Sequence, residues 1–178
     1  YAEIADWREK IMEVAMSKNI SVIGAGSMGT AVSILLDKNG HNVRMWTPFK
    51  EEVDMINTFR EQKDKLPGVK IPESIICTDD IEVTLNNTDL VVLVVPSQTV
   101  RQNAKLISKY IKSNAVIACF SKGLEIETCL RPSQVIKEEI PGALVVALSG
   151  PCHAEELSKG MPTAYVSASE NMEAAEFV

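Results

Sequence analysis

"ISVIGAGSMGTAVSILL", residues 20–36, runs from a β-branched apolar stretch through three glycines into a string of good helix formers. The order strand, tight turn, helix is the setting in which G-x-G-x-x-G carries weight as a dinucleotide-binding signal. In that setting Gly24 permits a sharp turn, Gly26 lets a pyrophosphate approach the backbone, and Gly29 lets the helix lie close on the strand. The free N–H groups and positive dipole end of the helix then face phosphate. The competing explanation is a strand-to-helix turn whose glycines serve packing alone.

Outward from this stretch, short apolar runs alternate with helical patterns. The pattern predicts strands at 20–23, 43–47, 75–78, 90–95, 115–120, 144–149 and 163–167. It predicts helices near 28–39, 49–62, 80–87, 97–110, 131–139 and 153–159, with a last one opening near 171. Near-continuous runs such as "LVVLVV" mean strands buried on both faces, hence a parallel sheet between helices. The expected fold class is therefore α/β, a doubly wound parallel sheet of the Rossmann type. "LPGVKIPES" at 66–74 is the one irregular connection rich in Pro and Gly, read either as a mobile flap or as a plain surface loop. Residues 1–18 form an expected N-terminal helical extension with apolar positions at Ile4, Trp7, Ile11 and Val14, ahead of an NAD(P)-binding domain over 19–178. The chain begins at Tyr1 and not Met, so its natural start is expected to be missing or removed.

The net charge of −6 argues against nucleic acid or an anionic membrane as the main partner. No apolar run approaches the roughly 20 residues that span a bilayer, so membrane insertion is not expected. Cys77, Cys119, Cys129 and Cys152 are scattered, with no C-x-x-C pair and two histidines in the chain. That fits neither a zinc site nor a disulfide frame, and the expected compartment is a reducing cytoplasm.

In doubly wound sheets ligands bind outside the carboxyl ends of the strands. The tips there read "GAGSMG", "TPFK", "PSQ", "SKGLE" and "SGPCHAEE". An NAD site usually carries an acid about 20 residues after the glycines to hold both ribose hydroxyls. Here strand two ends at Thr47 and Pro48, and Glu51 and Glu52 lie a turn into the next helix. Arg44 and Lys50 are nearby cations for a 2′-phosphate, so the expected cofactor is NADPH or NADH, with the missing acid tilting towards NADPH. Lys122, on the tip after "AVIACF" and followed by Gly123, is placed to reach the crevice floor. Gly150 in "SGP" is expected to let backbone lie close to a ligand. Glu125 and Glu127 read as solvated charges.

Taken in order, "VIGAGSMGTA", "LPGVKIP", "VLVVPSQ", "SKGLEIET" and "LSGPCHAEELSKGMPTA" resemble the bacterial NAD(P)-dependent glycerol-3-phosphate dehydrogenase family from about residue 19 to the end. The resemblance implies reversible hydride transfer between NAD(P)H and a small phosphate substrate, dihydroxyacetone phosphate, giving sn-glycerol 3-phosphate for phospholipid synthesis. It implies cofactor contacts at Ser27, Met28, Pro48, Lys122 and Ala154, besides Gly24, Gly26 and Gly29. It implies substrate contacts at Lys122, Gly150 and Cys152. Cys152 departs from the usual Ser or Thr, and Lys65 stands where an aromatic residue often precedes "LPG". The family's general acid/base lysine and its substrate-phosphate ligands come from a following helical domain with no match here. The chain is thus expected to bind cofactor without turning over, and the resemblance leaves a homodimer of the full-length enzyme open. Two alternatives stand beside it: a related hydroxyacid-type reductase, and a non-catalytic NAD(P)H-sensing module.

Overall fold

The structure is a computed structural model that describes residues 17–178. Of the expected extension over 1–18, residues 1–16 lie outside the described residues. The first strand, β1 (Asn19–Ile23), leads through the glycine turn into α1 (Ser27–Lys38). Then come β2 (Asn42–Trp46), α2 (Lys50–Phe59), the hairpin β3 (Glu61–Gln62) and β4 (Leu66–Lys70), and β5 (Ile76–Thr78). The second half contains α3 (Ile81–Leu85), β6 (Leu90–Leu93), a 3₁₀ turn at Ser97–Thr99, α4 (Val100–Ile107) and β7 (Val116–Cys119). It closes with α5 (Pro132–Glu139), β8 (Leu144–Ser149), α6 (Ala154–Ser158), β9 (Val166–Ala168) and α7 (Met172–Phe177).

Seven strands form one sheet in the order β5-β2-β1-β6-β7-β8-β9, parallel throughout except for the last pair. The doubly wound expectation holds, with one correction. The strand expected at 163–167 lies at 166–168 and runs antiparallel to β8, pairing Ala147 with Ala168 and Ser149 with Val166. Both faces of the sheet are covered. Alternate residues Ile20, Val22, Val92 and Ala118 meet α1, α2, α6 and the hairpin, whereas Ile23, Leu93, Ile117 and Val145 meet α4 and α5. Each fully buried Ile or Leu contributes about 1.5–3 kcal/mol of hydrophobic stabilisation. The strand order reverses between the neighbours β1 and β6, whose following helices pack on opposite faces, and that switch point opens a crevice at the carboxyl ends of these strands.

The segment expected as the end of a helix and an irregular loop is folded differently. Helix α2 stops at Phe59 because Arg60 adopts a left-handed conformation, φ 52°. Its guanidinium donates to the carbonyls of Pro72 and Ile75, the latter at 2.8 Å, which holds the chain in that reversal. The "LPGVK" stretch is strand β4, paired antiparallel with β3 and anchored by the fully buried side chains of Leu66, Ile71 and Gln62. Gln62 Nε2 donates to the Ala25 carbonyl at 2.9 Å, tying the hairpin to the glycine turn. Cys77, Cys119, Cys129 and Cys152 are all free thiols. No helix among the described residues is long and apolar enough to cross a membrane.

Candidate functional site

A cleft of about 920 Å³ opens at the carboxyl ends of β1, β2 and β6. Gly24, Gly26 and Ser27 form its floor, Pro48 and Phe49 one wall, and Asn103 and Leu106 of α4 the other. A second hollow of about 1040 Å³ lies at the opposite ends of the strands, around Asn19, Asp89 and Val116. The glycine turn, the N-terminus of α1 and the tips of β2 and β6 line the first, and ligands bind doubly wound sheets at the carboxyl edge.

The three glycines serve different ends. Gly24 has φ +116°, and a Cβ there would meet the Val94 carbonyl oxygen at 2.3 Å. A Cβ on Gly29 would lie 1.9 Å from the Gly24 carbonyl oxygen, so α1 sits directly on the turn. Gly26 has ordinary extended backbone and nothing within 4 Å of where its Cβ would be. Packing explains the outer two glycines; the middle one leaves open space facing the cleft. Gly26 is also the N-cap of α1, with no side-chain cap and no acidic residue in the first turn. The first N–H groups of a 12-residue helix therefore meet neither a capping oxygen nor a carboxylate, the polarity that suits a phosphate. This cradle fits the pyrophosphate of a dinucleotide.

At the β2 end a carboxylate does reach the strand tip, that of Glu52. Its side chain folds back on the strand tip, accepting from Thr47 Oγ1 at 2.8 Å and pairing with the Lys65 ammonium. Lys65 and Glu52 both line the cleft. The cations expected for a 2′-phosphate lie elsewhere. Arg44 donates to the Asn86 carbonyl at 2.7 Å, Lys50 pairs with Asp54 at 3.0 Å, and neither lines the cleft. Phe49, 57% exposed on the wall, is a flat face for stacking that sequence reasoning passed over, although it lies in the quoted tip "TPFK".

The remaining expected residues form a separate cluster, away from the cleft lining. Lys122 Nζ donates to Cys152 Sγ at 3.8 Å, and the Cys152 thiol donates to the Gly150 carbonyl at 3.3 Å. Tyr165, unmarked by any motif, completes it: its hydroxyl donates to Met28 Sδ at 3.9 Å and its ring takes Phe120 edge-on, centroids 5.4 Å apart. Burial first, then the Cys152 thiol, push the Tyr165 phenol up to about 12, so it remains a protonated donor at neutral pH. Met28, following Ser27 in α1, connects the cluster to the cleft floor. Crossing backbone by itself requires glycine at 150: a Cβ there would meet the Ala164 carbonyl oxygen at 2.2 Å. Ala154 opens α6 with its side chain in the core, against α1. Glu125 is not a solvated charge; it is held by Arg101 at 2.8 Å with its side chain 13% exposed.

A family model for the N-terminus of NAD-dependent glycerol-3-phosphate dehydrogenase matches residues 19–175. Glycerol-3-phosphate dehydrogenase [NAD(P)+] of Agathobacter rectalis is 43% identical over 159 residues, covering 89% of this chain and 47% of that protein. The protein of the same description from Bacillus pumilus is 43% identical over 164 residues, covering 90% of this chain and 48% of its own length. Among solved structures, glycerol-3-phosphate dehydrogenase of Coxiella burnetii is similar with a TM-score of 0.85 at 28% identity, over 90% of this chain and 49% of that one. The chain spans about half the length of the curated relatives it matches. Matched from Asn19 to Ala175, the chain belongs to the NAD-dependent glycerol-3-phosphate dehydrogenase family, over the N-terminal portion of its length.

Proposed function

We propose that the chain is the cofactor-binding half of an oxidoreductase that moves hydride between NAD(P)H and dihydroxyacetone phosphate, forming sn-glycerol 3-phosphate for phospholipid synthesis. One observation carries this reading: the uncapped N-terminus of α1 beneath the open face of Gly26, on the floor of the cleft. The N–H groups of Ser27 and its neighbours are assigned to the pyrophosphate, and Pro48 with Phe49 to the adenosine side. NAD(P)H, when bound, supplies the hydride.

Ketone reduction places negative charge on the carbonyl oxygen, and a preorganised cation there lowers the barrier. Lys122 is assigned that task. The single proton of the Cys152 thiol is already given to the Gly150 carbonyl, so its sulfur offers Lys122 only lone pairs. Cys152 therefore orients the ammonium, and contacts to substrate from 150–152 fall to backbone groups. The proton donor and the ligands of the substrate phosphate are assigned to the part of the relatives' length that this chain does not span. The chain alone is expected to bind NADH or NADPH and to reduce no dihydroxyacetone phosphate.

The test is single-turnover reduction at saturating substrate in the full-length enzyme. Lys122→Ala is expected to slow hydride transfer about a hundredfold, on the order of 3 kcal/mol. Lys122→Arg recovers part of the loss, because a planar guanidinium presents its donors differently. Equal rates in wild type and Lys122→Ala would remove Lys122 from the reaction.

A further inference from the structure

We propose that Arg101 and Gln98 are positioning residues for Lys122, fastening the β7–α5 loop so that its ammonium is held at the reacting carbonyl; this rests on the role assigned to Lys122 above. Next to Lys122 the loop gains little order from burial. Leu124 is 52% and Ile126 77% exposed, and apolar packing against the core resumes only at Leu130.

Polar ties replace that packing. Before Lys122, Ser121 Oγ donates to the Val95 carbonyl at 2.6 Å. After it, the Gln98 amide grips the backbone at two points: Nε2 donates to the Leu124 carbonyl at 2.8 Å, and the Ile126 N–H donates to Oε1 at 3.1 Å. Arg101 then forks Glu125, Nε to Oε1 at 2.9 Å and Nη2 to Oε2 at 2.8 Å, the bidentate geometry that fixes direction as well as distance. Thr128 Oγ1 donates to the same carboxylate at 2.5 Å. The remaining guanidinium N–H groups reach Glu138 and Glu139 of α5, each at 2.8 Å. Arg101 thus joins α4, the loop and α5. Between Lys122 and the anchored Leu124 lies Gly123 at φ +108°, whose missing Cβ would stand 3.5 Å from Ser97 Oγ. Lys122 is bracketed by one tie a residue before it and by the Gln98–Arg101 pair two to four residues after it. The Arg101 pairs are partly exposed, so their loss leaves the domain folded, but loss of the far bracket frees the lysine backbone to swing.

The experiment uses the full-length enzyme and the variants Arg101→Ala, Gln98→Ala, Lys122→Ala, and the two doubles containing Lys122→Ala. Hydride transfer is read by single turnover and cofactor affinity by titration. Arg101→Ala is expected to slow transfer about tenfold to a hundredfold, the loss that follows from ångström-scale misplacement of a reacting group, with NADH affinity unchanged. Gln98→Ala follows the same pattern. Because both act through Lys122, neither slows the reaction further once Lys122 is alanine. Glu138→Gln, which alters only an outer carboxylate, keeps the wild-type rate. Wild-type rates in Arg101→Ala and Gln98→Ala would overturn the proposal, as would an equal slowing in the Lys122→Ala background. A wild-type enzyme that does not reduce dihydroxyacetone phosphate would overturn the functional reading, and this proposal with it.

Discussion

Substituting the three glycines one at a time separates ligand space from packing. Gly26→Val adds a side chain where nothing stands within 4 Å and where the backbone is extended, a conformation valine adopts freely. The cost to the fold is the poorer N-cap, under about 1 kcal/mol. Gly29→Ala has the opposite balance. Helix propensity alone would favour alanine by about 1 kcal/mol. Its Cβ, however, falls 1.9 Å from the Gly24 carbonyl oxygen, and contacts below 3.0 Å force a shift, so turn and helix must separate by 3.0 − 1.9 = 1.1 Å or more. Overpacking of about 3 kcal/mol against that gain leaves a net loss of about 2 kcal/mol, or about 4–8 °C in Tm for a domain of this size. Thermal melts by circular dichroism read the stability, and calorimetric titration with NADH reads the binding. Gly26→Val is expected to keep its melting temperature within a few degrees and to lose at least about 1.4 kcal/mol of affinity, a factor of ten in Kd. Gly29→Ala is expected to lose melting temperature first. Wild-type NADH affinity in Gly26→Val would refute the assignment of the open face to the pyrophosphate. An unchanged Tm in Gly29→Ala would refute the packing account of the third glycine.

Lys65→Ala leaves Glu52 unpaired on the cleft wall, so NADPH, with its 2′-phosphate, is expected to lose more affinity than NADH; an unchanged ratio of the two Kd values would exclude Lys65 from choosing the cofactor. The fork from Arg101, followed by the Thr128 hydroxyl, lowers the Glu125 carboxyl from 4.5 to about 2. A carboxylate depressed in the folded state stabilises fully above its unfolded pKa and progressively less as pH falls through its folded one. The contribution of Glu125 is therefore complete above about pH 4.5 and lost towards pH 2, and Arg101→Ala is expected to flatten the acid limb of stability in that window, as read by urea melts at a series of pH values.

What was legible in the sequence was what neighbouring residues decide. The glycine turn lies within six residues, and its strand and helix flank it directly. The buried strands announced themselves by unbroken apolar runs, and six of the seven sheet strands lie within one or two residues of expectation. The departures arise where distant chain segments override the local pattern. Nothing in "NTFREQ" ends a helix, because Arg60 takes a left-handed conformation that the carbonyls of Pro72 and Ile75 stabilise from across the hairpin. The direction of β9 is set by pairing with β8 and has no signature of its own in "PTAYVSA". Glu52 looked too deep in its helix until Thr47 and Lys65 drew its carboxylate back to the strand tip.

The same distinction runs through the site. The pyrophosphate cradle is a local structure, made by one strand, one turn and one helix, and a sequence pattern suffices to specify it. The end to which we assign the reaction is a meeting of remote segments: Lys122 touches Cys152 across 30 residues, and Tyr165 reaches Met28 across 137. No periodicity carries such contacts, so neither Tyr165 nor the crossing of Gly150 by the Ala164 carbonyl was foreseen. The consequence is a difference in what perturbs each end. A change in the cradle is expected to act on cofactor affinity through the few atoms at Gly26. On the proposed assignment the ammonium of Lys122 is held by β7, the Gln98 and Arg101 ties, and the Cys152 thiol. Substitutions far from the cofactor, at Arg101 or Tyr165, are therefore the ones expected to lower the rate while leaving dinucleotide affinity intact.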